Sequence, residues 1–261
     1  MSDYTLTQSQ DQETEQRRLA LIQAYQDPST IRYLKGVGVG EGWRCLDVGA
    51  GAGSIAHWLA SHVGASGSVV ATDLETDLLE LLDAPNLEVR RHDIRHDDLP
   101  ERYFDLIHAR LVLLHLPERD AVLFKLVAAT CPGGWLVISD CDLSTIRLAH
   151  HDPVFERVTE AFEVAVRHAG WDPVLGPTLP AMLERHGVTD VEAESWQSYQ
   201  RGSSPAPSIL SLTYERLRSR LLDRGITPGE LDHVQVLLDD PSIGVYGPTL
   251  WAAWGRRPTN D

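Results

Sequence analysis

A glycine-rich segment between two apolar stretches, LDVGAGAGS at residues 46–54, constrains the fold more than any other part of the sequence. The apolar run before the glycines, 43–48, predicts a β-strand, and the pattern after them, 54–62, predicts a helix. Glycine lets the backbone turn tightly and approach a ligand, and the N–H groups at the start of a helix point toward that ligand. The segment therefore predicts a strand–turn–helix unit whose loop binds a ligand.

The first half of the chain continues this alternation of strands and helices. The predicted strands are 43–48, 68–72, 87–91, 103–109 and 135–140, and the predicted helices between them are 54–62, 76–84 and about 117–131. Strands that are nearly continuous apolar runs are typical of a parallel sheet covered on both faces. Alternating strands and helices therefore indicate a doubly wound α/β fold with helices on both faces.

The two ends of the chain are predicted to add helical segments to this sheet. Residues 12–35 have helical periodicity with a break at Asp27-Pro28. The second half has predicted helices at 153–169, 179–186, 208–223 and 228–238, and late strands at about 188–199 and 249–257. These late strands bring the sheet to seven strands and bracket helical insertions that are expected to form a lid. We expect an N-terminal helical cap (1–40), a ligand-binding half (41–142) and a C-terminal half with the late strands and lid segments (143–261).

Composition and charge exclude several classes of protein. The 261 residues carry a formal net charge of −15, whereas nucleic acids and anionic membranes attract a positive field. No apolar run approaches the roughly 20 residues that a membrane span requires, and residues 1–18 lack the apolar core of a secretory signal. Cys45, Cys131 and Cys141 lie far apart without metal-ligand spacing, so no metal site is predicted. We expect a cytoplasmic protein that binds neither nucleic acid nor membrane.

The glycine loop distinguishes between nucleotide ligands. The dinucleotide pattern G-x-G-x-x-G, counted from Gly49, requires glycine at position 54, which is Ser54. Asp47 precedes the first glycine by two residues, and its carboxylate would repel a pyrophosphate but attract an ammonium group. These residues favour a nucleoside that carries a positive charge, with an NAD(P)-linked oxidoreductase left as an alternative.

The pattern D-x-G-x-G-x-G at 47–53 resembles motif I of the class I S-adenosylmethionine-dependent methyltransferases. VVATDL at 69–74 and VRRHDI at 89–94 resemble the acidic motifs that follow the next two strands of this family. Residues 103–140 resemble the branch of ubiquinone/menaquinone biosynthesis methyltransferases. The resemblance covers 43–140 and implies a Rossmann-like fold, S-adenosylmethionine as the cofactor and methyl transfer as the activity.

The resemblance also implies which residues hold the cofactor. In this family, the position of Asp73 is taken by an acid that binds both ribose hydroxyls. The position of Asp93 is taken by a residue that holds the adenine amino group. Ile94 is expected to lie against the adenine ring. The full set of expected cofactor-binding residues is Asp47, Gly49, Ala50, Gly51, Gly53, Asp73, Leu74, Asp93, Ile94 and Ala109. Taken singly, the glycines could make only a tight turn, Asp73 could cap a helix and Asp93 could end a strand in a solvated loop. Their shared position at the carboxyl ends of successive strands favours ligand binding.

Two residues, His115 and Asp142, are predicted to act on the methyl acceptor, because an O–H or acidic C–H acceptor needs a base. His115 lies in the segment LLHLP after the fourth strand, where a structural role in the core is also open. Asp142 follows the fifth strand together with Asp140, and a hydrogen-bonded turn is the alternative role for both.

The expected acceptor is a small apolar or aromatic metabolite, methylated on oxygen or carbon, with secondary metabolism as the setting. Methyltransferases that act on exocyclic or amide nitrogens resemble one another in an N/D-P-P-Y/F motif after the fourth strand. Residues 108–111 of this chain are HARL and lack this motif, which counts against nucleic-acid bases as acceptors. Lid side chains such as Trp171 and Trp196 suit an aromatic ligand, and the N-terminal helix with Tyr25 and Tyr33 is expected to close over the cofactor. The alternative is an enzyme that keeps the cofactor and catalyses cyclisation, elimination or hydroxylation. The oligomeric state is left open.

Overall fold

A seven-stranded sheet forms the centre of the molecule in a computed structural model that describes residues 12–259. The strands in chain order are β1 (Arg44–Val48), β2 (Ser68–Asp73), β3 (Leu87–Arg91), β4 (Phe104–Arg110), β5 (Thr130–Asp142), β6 (Arg147–Leu148), β7 (Thr189–Trp196), β8 (Tyr199–Arg201), β9 (Gly244–Tyr246) and β10 (Thr249–Arg256). The main sheet has the order β3-β2-β1-β4-β5-β10-β7. β1 to β5 are parallel, and β10 runs antiparallel to β5 and β7. The predicted seven-stranded, mostly parallel α/β sheet is confirmed.

Helices cover both faces of this sheet. They are α1 (Gln12–Gly36), α2 (Ser54–Val63), α3 (Arg119–Ala129), α4 (Pro153–His168), α5 (Leu179–Arg185), α6 (Pro205–Arg216), α7 (Arg218–Leu222) and α8 (Pro228–Asp239). Successive strand residues point to opposite faces, and the buried core divides accordingly. Cys45 of β1 packs in a cluster with α1 and α2, whereas its neighbour Leu46 packs in a cluster with α3, α4 and α5. Burial on both faces explains the nearly continuous apolar runs.

α1 is one continuous helix, so the break predicted at residues 27–28 is wrong. Proline inside a helix removes a backbone hydrogen bond and favours a kink, but both halves of α1 are anchored to the sheet. Before the proline, Tyr25 packs edge-on against Trp196, with ring centroids 5.1 Å apart. After the proline, Tyr33 stacks on Trp254 at 5.3 Å. These contacts with β7 and β10 offset the lost hydrogen bond. Residues 1–11 of the expected cap lie outside the described residues.

The segment 76–84, predicted as a helix, contains only a short 3-10 turn, so this prediction is wrong. Leu79 is fully buried, whereas Leu81 is 76% exposed, and the leucines therefore do not form one buried stripe. The side chains of Leu79 and Leu82 instead pack over Gly53, with methyl carbons 2.7 and 2.4 Å from the position that a Cβ would take there. Contacts with the glycine loop thus outweigh the helical pattern of this segment.

The C-terminal half completes the main sheet and adds a smaller one. β7 and β10 correspond to the two predicted late strands, and α6 with α7 and α8 to the predicted helices 208–223 and 228–238. The smaller sheet, in the order β6-β9-β8, was not predicted, because strands of two or three residues are too short to show a periodicity.

Among residues 12–259, no helix is long and apolar enough to cross a membrane. The division of the chain after residues 40 and 142 stays a prediction.

Candidate active site

A cavity of about 250 Å³ lies at the carboxyl ends of β1, β2 and β4. The loop after β1 forms its floor, and residues that follow β2, β3 and β4 form its sides. Residues of α1 complete its lining. The expected cofactor-binding residues that the structure places in its wall are Gly49, Ala50, Gly51, Asp73, Leu74, Asp93 and Ile94.

The glycine loop approaches the cavity through a backbone conformation that favours glycine. Gly49, Gly51 and Gly53 have φ angles of 64°, 59° and 79°, in the left-handed region that other residues rarely adopt. A Cβ on Gly49 would lie 2.5 Å from Cγ2 of Val112, in the segment after β4. Gly53 lies outside the wall and precedes α2 as its N-cap. The loop therefore forms a cradle of bare backbone, into which a side chain at Gly49 would not fit.

The Asp73 carboxylate is held against this loop. Its Oδ2 accepts a hydrogen bond from the N–H of Gly51 at 2.8 Å, and its Oδ1 accepts one from the N–H of Leu74 at 2.7 Å. Burial raises the pKa of Asp73 above its ordinary value, although the hydrogen bonds from these N–H groups act in the opposite direction. A carboxylate fixed in this way keeps further lone pairs, which can accept hydrogen bonds from a diol.

Asp93 and Ile94 lie in the wall beyond Asp73. Ile94 is buried and shares the wall with the apolar side chains of Leu74 and Leu78. The Asp93 carboxylate pairs with Arg95, whose Nη2 and Nε donate at 2.6 and 2.9 Å. The hydrogen bonds from Arg95 hold the pKa of Asp93 below its usual range. An apolar slot flanked by a polar group suits a planar base such as adenine.

Asp47 does not take its expected place beside a ligand. Its side chain is buried, and its Oδ1 lies 2.7 Å from Nδ1 of His108, the residue opposite it on β4. The carboxylate is thus used within the sheet and lies outside the cavity wall. Ala109, the neighbour of His108, is buried behind the wall as well. The structure therefore does not support a contact of the Asp47 carboxylate with a ligand ammonium group.

His115 lies in the cavity wall. Its ring lies edge-on to the ring of Trp171, with the ring centroids 4.0 Å apart. Its Nδ1 has no hydrogen-bond partner among residues 12–259. Burial, together with the charges of Arg18 and Arg216, lowers the pKa of His115 to about 3. The imidazole is therefore neutral at physiological pH and is a weak base.

Asp142 does not reach the cavity. Its Oδ1 accepts hydrogen bonds from the N–H and the Oγ–H of Ser144, at 3.0 and 2.6 Å, and caps the 3-10 turn Leu143–Thr145. Asp140 lies deeper in the sheet, where burial raises its pKa well above the ordinary value. The hydrogen-bonded turn, left open by the sequence, accounts for Asp142, and its position does not support a catalytic role.

Sequence analysis also assigned the wall contributed by α1 to residues that do not line it. Arg18, Leu19 and Ile22 line the cavity, whereas Tyr25 and Tyr33 pack against tryptophans of the sheet. Leu19 and Ile22 are three positions apart and so lie on one helix face. Their periodicity was the signal for a buried face, but the sequence did not show that this face covers a cavity.

The walls of the cavity fit S-adenosylmethionine by their chemistry. The apolar slot around Ile94 suits adenine, the Asp73 carboxylate suits the ribose hydroxyls, and the cradle at Gly49 and Gly51 lets a ligand approach the backbone. In the part of the chain that the structure describes, no cluster of three or more His, Cys, Asp or Glu side chains could hold a metal ion.

Sequence comparison agrees with this chemistry. The model of a methyltransferase domain family matches residues 46–136. Methyltransferase str2 of Strobilurus tenacellus is 31% identical over 150 residues, which are 57% of this chain and 54% of that protein. The ubiquinone/menaquinone biosynthesis C-methyltransferase UbiE of Pseudomonas putida is 30% identical over 119 residues, which are 42% of this chain and 46% of that protein. The chain spans about half the length of these curated relatives.

Solved structures share the fold at low sequence identity. The YcgJ protein of Bacillus subtilis superposes with a TM-score of 0.57 at 14% identity, covering 87% of this chain and 97% of that chain. Phosphoethanolamine N-methyltransferase 2 of Haemonchus contortus, solved with phosphomonomethylethanolamine and S-adenosylhomocysteine, superposes with a TM-score of 0.53 at 18% identity, covering 93% of this chain and 52% of that chain. Residues 46–136 therefore match a methyltransferase domain family, and the chain as a whole shares the fold of these solved structures.

Proposed function

We propose that this protein transfers the methyl group of S-adenosylmethionine to an oxygen or carbon atom of a small apolar or aromatic metabolite. The observation that carries the proposal is that a single cavity joins the glycine loop and Asp73 to His115. The cofactor would lie on the side of the loop and the acceptor on the side of His115. Both ligands would then share one space shielded from water, in which in-line transfer depends on their orientation.

The cofactor contacts are assigned to wall residues by their chemistry. The backbone at Gly49 and Gly51 would approach the ligand closely, and the Asp73 carboxylate would accept hydrogen bonds from the ribose hydroxyls. Ile94 would pack against the adenine ring. Asp93 would accept a hydrogen bond from the adenine amino group while remaining paired with Arg95, because a carboxylate has about four acceptor sites.

His115 would orient the acceptor more than it would remove a proton. S-adenosylmethionine supplies an activated methyl carbon when bound. Because the pKa of His115 is lowered to about 3, its neutral ring can accept a hydrogen bond from an acceptor hydroxyl but is a poor general base at neutral pH. The site therefore suits an acceptor whose own O–H or C–H is acidic, such as a phenol or an enol.

An apolar acceptor is supported by the apolar part of the cavity wall. Leu19, Ile22, Leu111 and Leu116 contribute to this wall beside its charged groups, and apolar side chains combined with placed polar groups are typical of small-molecule sites. Among the relatives, UbiE is named for C-methylation in ubiquinone and menaquinone biosynthesis. This name supports a small acceptor and leaves both carbon and oxygen as methylated atoms.

The test is a transfer assay with S-adenosylmethionine labelled in its methyl group. Panels of phenols, polyketides and quinones would be incubated with the protein, and labelled product and S-adenosylhomocysteine would be quantified together. We expect one acceptor class to give methylated product and S-adenosylhomocysteine in equal amounts, and His115→Asn to lower kcat without changing cofactor affinity. Conversion of an acceptor to an unmethylated isomer would contradict the proposal and favour a non-methylating enzyme.

A further inference from the structure

Arg110, at the end of β4, is a cation in the cavity wall without a role in the proposed binding of base, ribose or acceptor. Its Nη1 donates hydrogen bonds to Oδ1 of Asp27 at 2.9 Å and to Oγ1 of Thr30 at 3.0 Å, both on α1. These contacts involve Nη1 alone, so that Nη2 and Nε have no protein partner within residues 12–259. Since the side chain is only 12% exposed, these donors are held in one orientation and largely shielded from bulk water.

The cofactor carries a carboxylate, and a carboxylate removed from water requires a charged or hydrogen-bonding partner. The arginines in the described part of the wall are Arg18, Arg95 and Arg110. Arg95 is paired with both oxygens of Asp93, and Arg18 is paired with both oxygens of Glu15 at 2.6 and 2.9 Å. In contrast, the Nη2 and Nε donors of Arg110 form a fork that no carboxylate of residues 12–259 occupies.

The strand register places Arg110 beside the glycine loop. β1 and β4 pair with Val48 opposite Ala109, so the next residues, Gly49 and Arg110, lie side by side at the edge of the sheet. Asp73 ends β2 on the other side of β1, and the apolar slot lies beyond it after β3. Along the strand order β3-β2-β1-β4, the apolar slot thus comes first, at β3. The Asp73 carboxylate follows at β2, the glycine loop at β1 and the Arg110 guanidinium at β4. This order matches base, ribose and amino acid along the length of S-adenosylmethionine.

We propose that Arg110 binds the carboxylate of the cofactor through Nη2 and Nε, and that Asp27 and Thr30 are positioning residues that hold its guanidinium. This inference rests on the proposed function in that it takes S-adenosylmethionine as the ligand. A planar guanidinium binds a carboxylate through two parallel hydrogen bonds. Because Asp27 and Thr30 belong to α1, the bound carboxylate also stabilises α1 in its place over the cavity.

The test compares two ligands that differ only in the carboxylate, S-adenosylmethionine and its decarboxylated form, by calorimetric titration. The quantity compared is the ratio of the affinity for S-adenosylmethionine to the affinity for its decarboxylated form. We expect this ratio to exceed one in wild-type protein. Arg110→Gln should lower the ratio by about 10- to 100-fold, as expected for hydrogen bonds between charged groups. Arg110→Lys keeps the charge but not the fork, and we expect an intermediate ratio. The affinity for 5′-methylthioadenosine, which lacks the amino-acid part, stays unchanged in both variants and shows that the site is folded.

The matched control is Arg18→Gln, which also removes an arginine from the cavity wall and is expected to keep the wild-type ratio. A wild-type ratio in Arg110→Gln overturns the inference, even if the affinity for every ligand falls. A ratio that falls in Arg18→Gln instead also overturns it, because the carboxylate then lies at Arg18. If wild-type protein binds 5′-methylthioadenosine but shows no preference for the carboxylate, the inference fails while the proposed function stands. Failure of wild-type protein to bind any of the three ligands refutes the proposed function itself.

Discussion

The methyl group that alanine adds at Gly49 tests whether the glycine loop is packed against the segment after β4. Gly49 and Gly51 both have positive φ angles, 64° and 59°. An added Cβ at Gly49 would lie 2.5 Å from Cγ2 of Val112, whereas at Gly51 the nearest atom is Cδ2 of Leu19 at 3.4 Å. Gly51→Ala is therefore a matched control, with the same backbone strain and no severe overlap.

The expected losses of stability follow from these distances. A residue with a Cβ costs about 1–2 kcal/mol in the left-handed region, so Gly51→Ala lowers the free energy of unfolding by about that amount. Overpacking a buried site costs about a further 1–3 kcal/mol, which brings the loss for Gly49→Ala to about 2–5 kcal/mol. Val112 is 6% exposed, so it has little room to move away from the added methyl group.

Urea unfolding of Gly49→Ala, Gly51→Ala, Val112→Ala and the double variant Gly49→Ala/Val112→Ala measures these losses. Val112→Ala removes the overlap, so we expect the double variant to be more stable than the sum of its single losses predicts, by about 1 kcal/mol or more. Affinity for S-adenosylhomocysteine falls further in Gly49→Ala than in Gly51→Ala. Equal losses in the two glycine variants, or additive losses in the double variant, would refute the close packing of loop and segment.

Three further predictions concern single side chains. Asp142→Ala removes the cap of a 3-10 turn and lowers the free energy of unfolding by about 1 kcal/mol while leaving kcat unchanged; a large loss of kcat would restore its catalytic role. The pKa of His115 is lowered from 6.5 to about 3, so the unfolded state binds more protons and the protein loses stability as pH falls through this range. Urea titrations should show that, between neutral pH and pH 5, His115→Asn loses less free energy of unfolding than wild-type protein does, by up to about 2 kcal/mol. Arg95 lowers the pKa of Asp93, so Arg95→Gln should be at most about 1 kcal/mol less stable at neutral pH. This difference should disappear as pH falls below the folded pKa of Asp93, and its persistence in acid would contradict the pairing.

The strands of the main sheet were predictable because burial leaves a local signal. β1 is buried from Cys45 to Val48, and such a run stands out against the glycines that follow it. The helix predicted over 76–84 failed for the opposite reason. Its leucines have helical spacing, but Leu79 and Leu82 pack over Gly53, and this contact between distant residues leaves no trace in the local pattern.

The site was predictable where a side chain's role depends on its own strand end. Asp73 ends β2 and Ile94 follows β3, and their places in the wall needed only the order of strands. Asp47 was misplaced because its partner, His108, lies on β4 and is brought opposite it by the strand register. Register is set by the packing of whole strands, which the residues around one motif do not reveal.

The most direct test of the account is calorimetric titration of the protein with S-adenosylmethionine, S-adenosylhomocysteine and NADH. Asp73→Asn would be compared with Asp77→Asn, which removes an exposed carboxylate from the same cavity. We expect the first two ligands to bind wild-type protein and Asp77→Asn alike, and to bind Asp73→Asn at least about tenfold more weakly, since a hydrogen bond to a charged group contributes about 1.5–3 kcal/mol. Binding of NADH alone, or unchanged affinity in Asp73→Asn, would contradict the assignment of this cavity to S-adenosylmethionine.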